Sequence, residues 1–120
     1  MSFGRENISQ IQYDLDNEKS EYQLKAVKLT MEGYRDEAKY YDLIIKVYSN
    51  ISDMLDDTYD SDINTCIELF NKEYKNTRNS YLVKFHDLSN PAQSLLSGIY
   101  IETLDNLFEE VERKIRRCAE

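Results

Sequence analysis

The sequence predicts an all-α protein, and three observations support that fold class. Its 120 residues include only 3 glycines and 1 proline, too few for the many turns of a β-sandwich or barrel. Lys, Glu, Leu, Tyr and Asp dominate segments in which apolar residues recur every three or four positions, the spacing of a helix face. Hydrophobic residues make up 41% of the chain and charged residues 32%, which is typical of a single folded domain.

The first element is predicted to be one long helix over about residues 6–55. Its apolar positions begin at Ile8 and, after a change of phase near residues 24–29, keep the four-three spacing of a heptad seam as far as Leu55. Gly33 lies inside this seam, where a glycine costs about 1 kcal/mol relative to alanine. Because the phase is the same on both sides of Gly33, we expect an uninterrupted helix about 70 Å long, with a soft point at the glycine.

A turn is predicted over about residues 56–61, inside a cluster of aspartates. We expect Asp60 or Ser61 to cap the helix that follows, because these side chains accept hydrogen bonds from free amides of the first turn. Carboxylates also interact favourably with the positive end of the helix dipole. The cluster is therefore interpreted as the turn of a helical hairpin.

The same aspartates were compared with a calcium-binding loop. Asp60, Asp62 and Asn64 fall at the first three ligand positions of that loop. However, Thr65 occupies the position that requires glycine, and Asn71 the position that requires a bidentate glutamate. We therefore expect no metal site here, and no motif for a cofactor occurs elsewhere in the sequence.

The returning chain is predicted to form two further helices, over about residues 62–86 and 90–118. Ser89 or Asn90 can cap the last helix, with Pro91 at its first position, where a missing amide hydrogen costs nothing. Two architectures remain open. If Pro91 only kinks the returning helix, the chain is a long helical hairpin, and if Pro91 reverses the chain, it is a three- or four-helix bundle.

Charge and hydropathy narrow the classes of function. The formal net charge of -8 argues against nucleic acid as the partner, because phosphate binding needs a basic face. The basic residues 113–117 are interpreted as complementing the negative end of a helix dipole. No apolar run is long enough to span a membrane, and the first ten residues lack the apolar core of a signal peptide. We therefore expect a cytoplasmic protein in which Cys66 and Cys118 are reduced packing residues.

One segment of the sequence is a candidate for a catalytic site. The segment Arg78–His86 resembles the arginine–asparagine and histidine motif of the small helical nucleases known as HEPN domains, although Lys84 stands where that family has its histidine. The resemblance would imply RNA cleavage that depends on Arg78. We expect no catalytic residue and keep the ribonuclease as the least favoured alternative.

Two apolar stripes are predicted to bind a partner. The first long helix carries a second apolar line beside its heptad seam, and the last helix carries another. The second line of the first helix must be covered either by the segment after Pro91 folding back or by another polypeptide. The 10 tyrosines of the chain also favour interfaces. The predicted partner-binding residues are Tyr40, Ile44, Val47, Ile51, Leu104, Phe108 and Val111.

The layout of the chain resembles that of small helical-hairpin proteins of Gram-positive type VII secretion. The resemblance is carried by "ISDMLDDTYDSD" at the predicted turn and by "IETLDNLFEEVERKI" near the C-terminus. Both segments are similar to those of an accessory family encoded beside LXG toxins in type VIIb systems. The Trp-x-Gly turn of the best-known hairpins in this pathway is absent, and Tyr59 is the only aromatic residue in the turn.

This resemblance implies a non-enzymatic adaptor or targeting chaperone. Such proteins bind the N-terminal helical domain of an LXG toxin, in some cases with a second small helical protein, and present it to the secretion ATPase. It leaves open whether the adaptor is itself exported and whether it forms a homodimer. A cytoplasmic immunity protein that blocks a toxin domain with its acidic surface is the main alternative, and its binding should weaken strongly with salt.

Overall fold

The computed structural model describes residues 3–119 and confirms the all-α fold class. The helices of this described part are α1 (Arg5–Met31), α2 (Arg35–Thr58), α3 (Ile63–Phe85) and α4 (Pro91–Arg117). Helices α1 and α2 form one antiparallel hairpin, and α3 and α4 form a second. Each of α2 and α4 contacts all three other helices, so these two helices lie at the centre of the fold.

The prediction of one helix over residues 6–55 is wrong, because the chain reverses direction at residues 32–34. Gly33 has a φ of 89°, in the left-handed region that glycine adopts without steric penalty. The Gly33 amide donates to the Thr30 carbonyl, and the Tyr34 amide donates to the Leu29 carbonyl. This pair of hydrogen bonds is the Schellman motif, which ends a helix.

After the reversal, α2 runs back along α1. The Gln12 side chain of α1 donates to the Ser52 carbonyl of α2 at 3.0 Å, and Arg5 pairs with Asp56. The heptad spacing continues across the turn because two packed helices carry it in the same phase, and this is why the sequence did not reveal the break.

The second hairpin is held together by stacked aromatic rings. The ring centroids of Tyr81 and Tyr100 lie 3.6 Å apart, and those of Tyr74 and Phe108 lie 3.8 Å apart. Stacking of this kind adds about 1 kcal/mol per pair to the burial of the rings. Pro91 therefore begins a helix that returns along α3, so the chain follows the four-helix alternative.

The N-terminal cap of α4 is one that the sequence predicts, whereas the N-terminal cap of α3 is not. Asn90 accepts a hydrogen bond from the Gln93 amide and caps α4, with Pro91 at the start of the helix, as predicted. The cap of α3 is Asp62, which accepts from the Thr65 amide, and not Asp60 or Ser61. Asp60 instead accepts from the Asp62 amide and so shapes the turn itself.

One continuous apolar core joins the two hairpins. Its buried members come from all four helices, and the partly exposed Phe3, Leu43 and Tyr48 pack around them. The buried residues of this core are Ile8, Ile11, Leu15, Val47, Ile51, Met54, Leu55, Cys66, Ile67, Phe70, Tyr100, Leu104, Leu107, Phe108, Val111 and Ile115.

The molecule is a moderately elongated bundle. Its principal extents are 49 × 32 × 19 Å and its radius of gyration is 15.9 Å, compared with about 14 Å for a globular chain of this length. The 70 Å rod that a single first helix would produce is thus replaced by a body whose longest dimension is 49 Å.

Candidate partner-binding surface

The predicted partner-binding stripes lie in the core of the protein itself. On α2, Ile44, Val47 and Ile51 are buried, and only Tyr40 is substantially exposed, at 43%. The three predicted residues of α4 are also buried; they are Leu104, Phe108 and Val111. The expectation that these six buried residues form an open surface is therefore corrected. Helix α4 packs against both α2 and α3, so the two predicted stripes are buried among these helices, with Phe108 stacked on Tyr74 of α3.

Exposed apolar side chains occur instead around the connection between α1 and α2. Leu24, Val27 and Met31 share one face of α1, and their exposed fractions are 73%, 57% and 83%. Tyr34 in the connection is 54% exposed. We call these four residues the α1–α2 tip. A groove of about 550 Å³ lies beside them, with Ile45 of α2 among its lining residues.

A second set of exposed apolar side chains surrounds the connection between α3 and α4. We call this set the α3–α4 tip; it consists of Val83, Phe85, Leu88, Leu95 and Leu96. Leu88 and Val83 are 84% and 74% exposed. A groove of about 450 Å³ runs between the two helices here, and its lining includes Leu82 and Ile99.

Sequence reasoning missed both tips for a physical reason. Val27, Met31 and Tyr34 continue the heptad spacing, which predicts that they lie in a buried seam. The change of phase near Leu24 and the presence of Gly33 were the available signals that the seam stops before the tip. Leu88 and Leu95 flank the Pro91 helix start, where periodicity is too short to assign a face.

The residues that resemble a nuclease motif are engaged in packing between α3 and α4. Arg78 donates from Nε to Asp105 Oδ1 at 3.0 Å and from its terminal nitrogen to Asp105 Oδ2 at 3.3 Å. Tyr74 donates to the same carboxylate at 2.6 Å. Hydrogen bonding to Asp105 raises the pKa of Arg78. His86 lies at the C-terminal cap of α3, with its ring centroid 5.2 Å from that of Phe85.

The positions of the potential metal ligands and of the two cysteines indicate neither a metal site nor a disulfide within the described residues. Within residues 3–119, no group of three or more His, Cys, Asp or Glu side chains is placed to hold a metal ion. Cys66 is buried and Cys118 is half-buried, and both are free thiols. Burial raises the pKa of the Cys66 thiol, which lowers its reactivity because the thiolate is the nucleophile.

Across residues 3–119, none of the helices combines the length and the apolar character that crossing a membrane requires. Comparison with protein-family models, with curated proteins and with solved structures found no match.

Proposed function

We propose that the protein is a non-enzymatic helical adaptor whose two hairpin tips bind a helical partner. The observation that carries this proposal is that strongly exposed apolar side chains gather around two hairpin connections, whereas the apolar faces between the hairpins are buried. Contiguous exposed apolar surface on a folded domain commonly marks an interaction site.

The form of the tips favours a helix as the bound element. On α1, Leu24, Val27 and Met31 recur at three- and four-residue intervals, and a groove lies beside them. The α3–α4 tip also borders a groove between two helices. An amphipathic helix inserts its own apolar residues into grooves of this kind. The adaptor would thereby cover apolar residues that the partner leaves exposed by itself.

The partner that the sequence resemblance supports is the N-terminal helical domain of an LXG-type toxin of a type VIIb secretion system. In this role the adaptor keeps the toxin domain soluble in the cytoplasm and completes a composite surface for the secretion machinery. Whether a second small helical protein joins the complex, or a second copy of this chain, is an outcome of the binding experiment.

Co-purification tests this function directly. The chain is expressed together with the N-terminal helical domain of an LXG toxin, and Val27→Asp and Leu95→Asp are compared with the parent sequence. Because both side chains are largely exposed, each variant should keep its fold but lose most of the bound partner. Tyr13→Asp is the matched control, since Tyr13 is 62% exposed and lies outside both tips.

Equal recovery of the partner with all three variants would contradict binding at the tips. Ile44→Asp is unsuitable for this test, because Ile44 is buried and a buried charge destabilises the fold. The amount of complex recovered at high salt distinguishes the adaptor from the immunity protein. Apolar binding should persist, whereas complete loss of the complex at high salt would favour the immunity protein.

A further inference from the structure

A small cavity lies between α1, α2 and α4, apart from the residues of both tips. It has a volume of about 260 Å³ and is lined by Tyr22 of α1, Tyr40 and Tyr48 of α2, and Glu110 of α4, with Ile44 and Leu107 among its apolar residues. This volume is smaller than that of the pockets that hold drug-sized ligands. The cavity therefore fits a small head group or the end of one side chain.

The aromatic rings around the cavity form a continuous cluster. The Tyr22 centroid lies 5.7 Å from that of Tyr48 and 6.0 Å from that of Tyr41, and Tyr40 meets Tyr41 edge-to-face at 5.5 Å. The negative faces of such rings attract cations. The cluster already contacts one cation of the chain, because Lys25 Nζ lies 5.5 Å from the Tyr22 centroid and 5.8 Å from the Tyr41 centroid.

Two carboxylates add negative charge beside these rings. Glu110 lines the cavity and lies 3.6 Å from Lys114 Nζ, which also approaches Asp14 at 4.0 Å. Glu18 lies one helical turn before Tyr22, and its carboxylate is adjacent to Tyr48, although Glu18 is not among the residues that line the cavity.

We propose that this tyrosine- and glutamate-lined cavity is a binding site for an alkylammonium cation. The rings would surround the methyl or methylene groups of the cation, as in aromatic cages for quaternary ammonium, and the Glu110 carboxylate, which lines the cavity, would supply the compensating charge. Burial and the adjacent Glu18 carboxylate raise the pKa of Tyr48, so this ring remains a neutral wall of the site. Two kinds of ligand carry such a cation: free quaternary ammonium ions and methylated lysine side chains.

Titration with choline chloride, followed by NMR of the tyrosine ring signals, tests the site. Sodium chloride at the same ionic strength is the reference. We expect saturable shifts at Tyr22, Tyr40 and Tyr48. Tyr40→Ala should weaken binding by about two- to thirtyfold, the range of one cation–π contact. Glu110→Gln should weaken it by about tenfold, because the Coulombic attraction between the carboxylate and the cation is lost.

The matched controls are Tyr13→Ala and Glu109→Gln. Glu109 is adjacent to Glu110 in sequence but exposed and outside the cavity lining, so it reports the general attraction of a chain of net charge -8 for cations. Shifts that do not saturate, or an equal loss with Glu109→Gln and Glu110→Gln, would overturn the proposal. Unchanged circular dichroism shows that each variant remains folded.

A second titration distinguishes the two sources of the cation. A short peptide with one trimethyl-lysine is compared with choline and with the same peptide carrying norleucine in place of that residue. Tighter binding of the trimethyl-lysine peptide than of choline would assign the site to a protein side chain. Equal affinities would assign it to a free amine. Binding of the norleucine peptide as tight as that of the trimethyl-lysine peptide would contradict recognition of the cation.

Discussion

At the scale of single residues, two tyrosines of the second hairpin are held in their neutral form. Burial raises the pKa of Tyr74 to about 12, and the neighbouring Asp105 carboxylate adds to this effect. Burial likewise raises the pKa of Tyr100 to about 12, and its hydroxyl group accepts a hydrogen bond from Asn50 of α2. Both phenols are thus stabilised in the folded state in their protonated form.

This stabilisation should depend on pH in the alkaline range. A phenol with a folded pKa above the usual value of about 10 binds its proton more tightly in the folded than in the unfolded state. The contribution of such a phenol to the free energy of unfolding is complete below about pH 10 and is lost as the pH rises toward 12. Urea unfolding across this range should therefore show a smaller alkaline loss of stability in Tyr74→Phe than in the parent. Tyr13→Phe, at an exposed side chain, should retain the full loss, and identical slopes for both variants would contradict the prediction.

Several residue roles could be predicted from the sequence because they depend on near neighbours. Asn90 as a cap and Pro91 as a first helical residue follow from local chemistry. The grouping of Tyr74, Arg78 and Asp105 could not be predicted, because Arg78 and Asp105 are 27 residues apart in sequence. Their contact depends on how α4 returns along α3.

At the scale of elements, the conformation of Gly33 determines where the first helix ends. Its φ of 89° is unfavourable for residues with a Cβ atom. A Cβ atom added at Gly33 would have no other heavy atom within 4 Å. A substitution there consequently changes the backbone energy without causing a packing clash.

The substitution Gly33→Ala distinguishes the turn from the predicted continuous helix, because it should change the free energy of unfolding in opposite directions in the two cases. In the turn, alanine should lower the free energy of unfolding by about 1–2 kcal/mol, because it disfavours the left-handed conformation. In the interior of a helix, the same change would raise it by about 1 kcal/mol. Gly33→Asn should cost less than Gly33→Ala, since asparagine tolerates the left-handed region. Urea unfolding measures all three proteins, and a stabilised Gly33→Ala would contradict the turn.

The later elements were easier to predict than the first. The ranges 62–86 and 90–118 closely match α3 and α4, because proline and asparagine mark the boundary between them. The reversal at Gly33 has no proline and leaves the apolar spacing in phase. Periodicity alone cannot separate one long helix from two packed helices in that case.

At the scale of the whole molecule, the arrangement of the hairpins decides which apolar residues are available to a partner. The all-α class followed from the sequence. The sequence did not determine what covers each apolar stripe. Whether α4 or another polypeptide covers the stripe of α2 depends on long-range packing. The structure buries the predicted stripes within the four-helix bundle and leaves the two tips open.

We propose that the partner binds at the two tips and leaves the core closed. Hydrogen–deuterium exchange of the protein alone and in complex with the LXG domain tests this claim most directly. We predict increased protection at residues 24–34 and 83–96 in the complex, with no loss of protection at residues 100–111. Increased protection confined to residues 44–51 and 104–111, together with faster exchange elsewhere in the core, would instead mean that the hairpins separate to bind the partner, and would contradict the account.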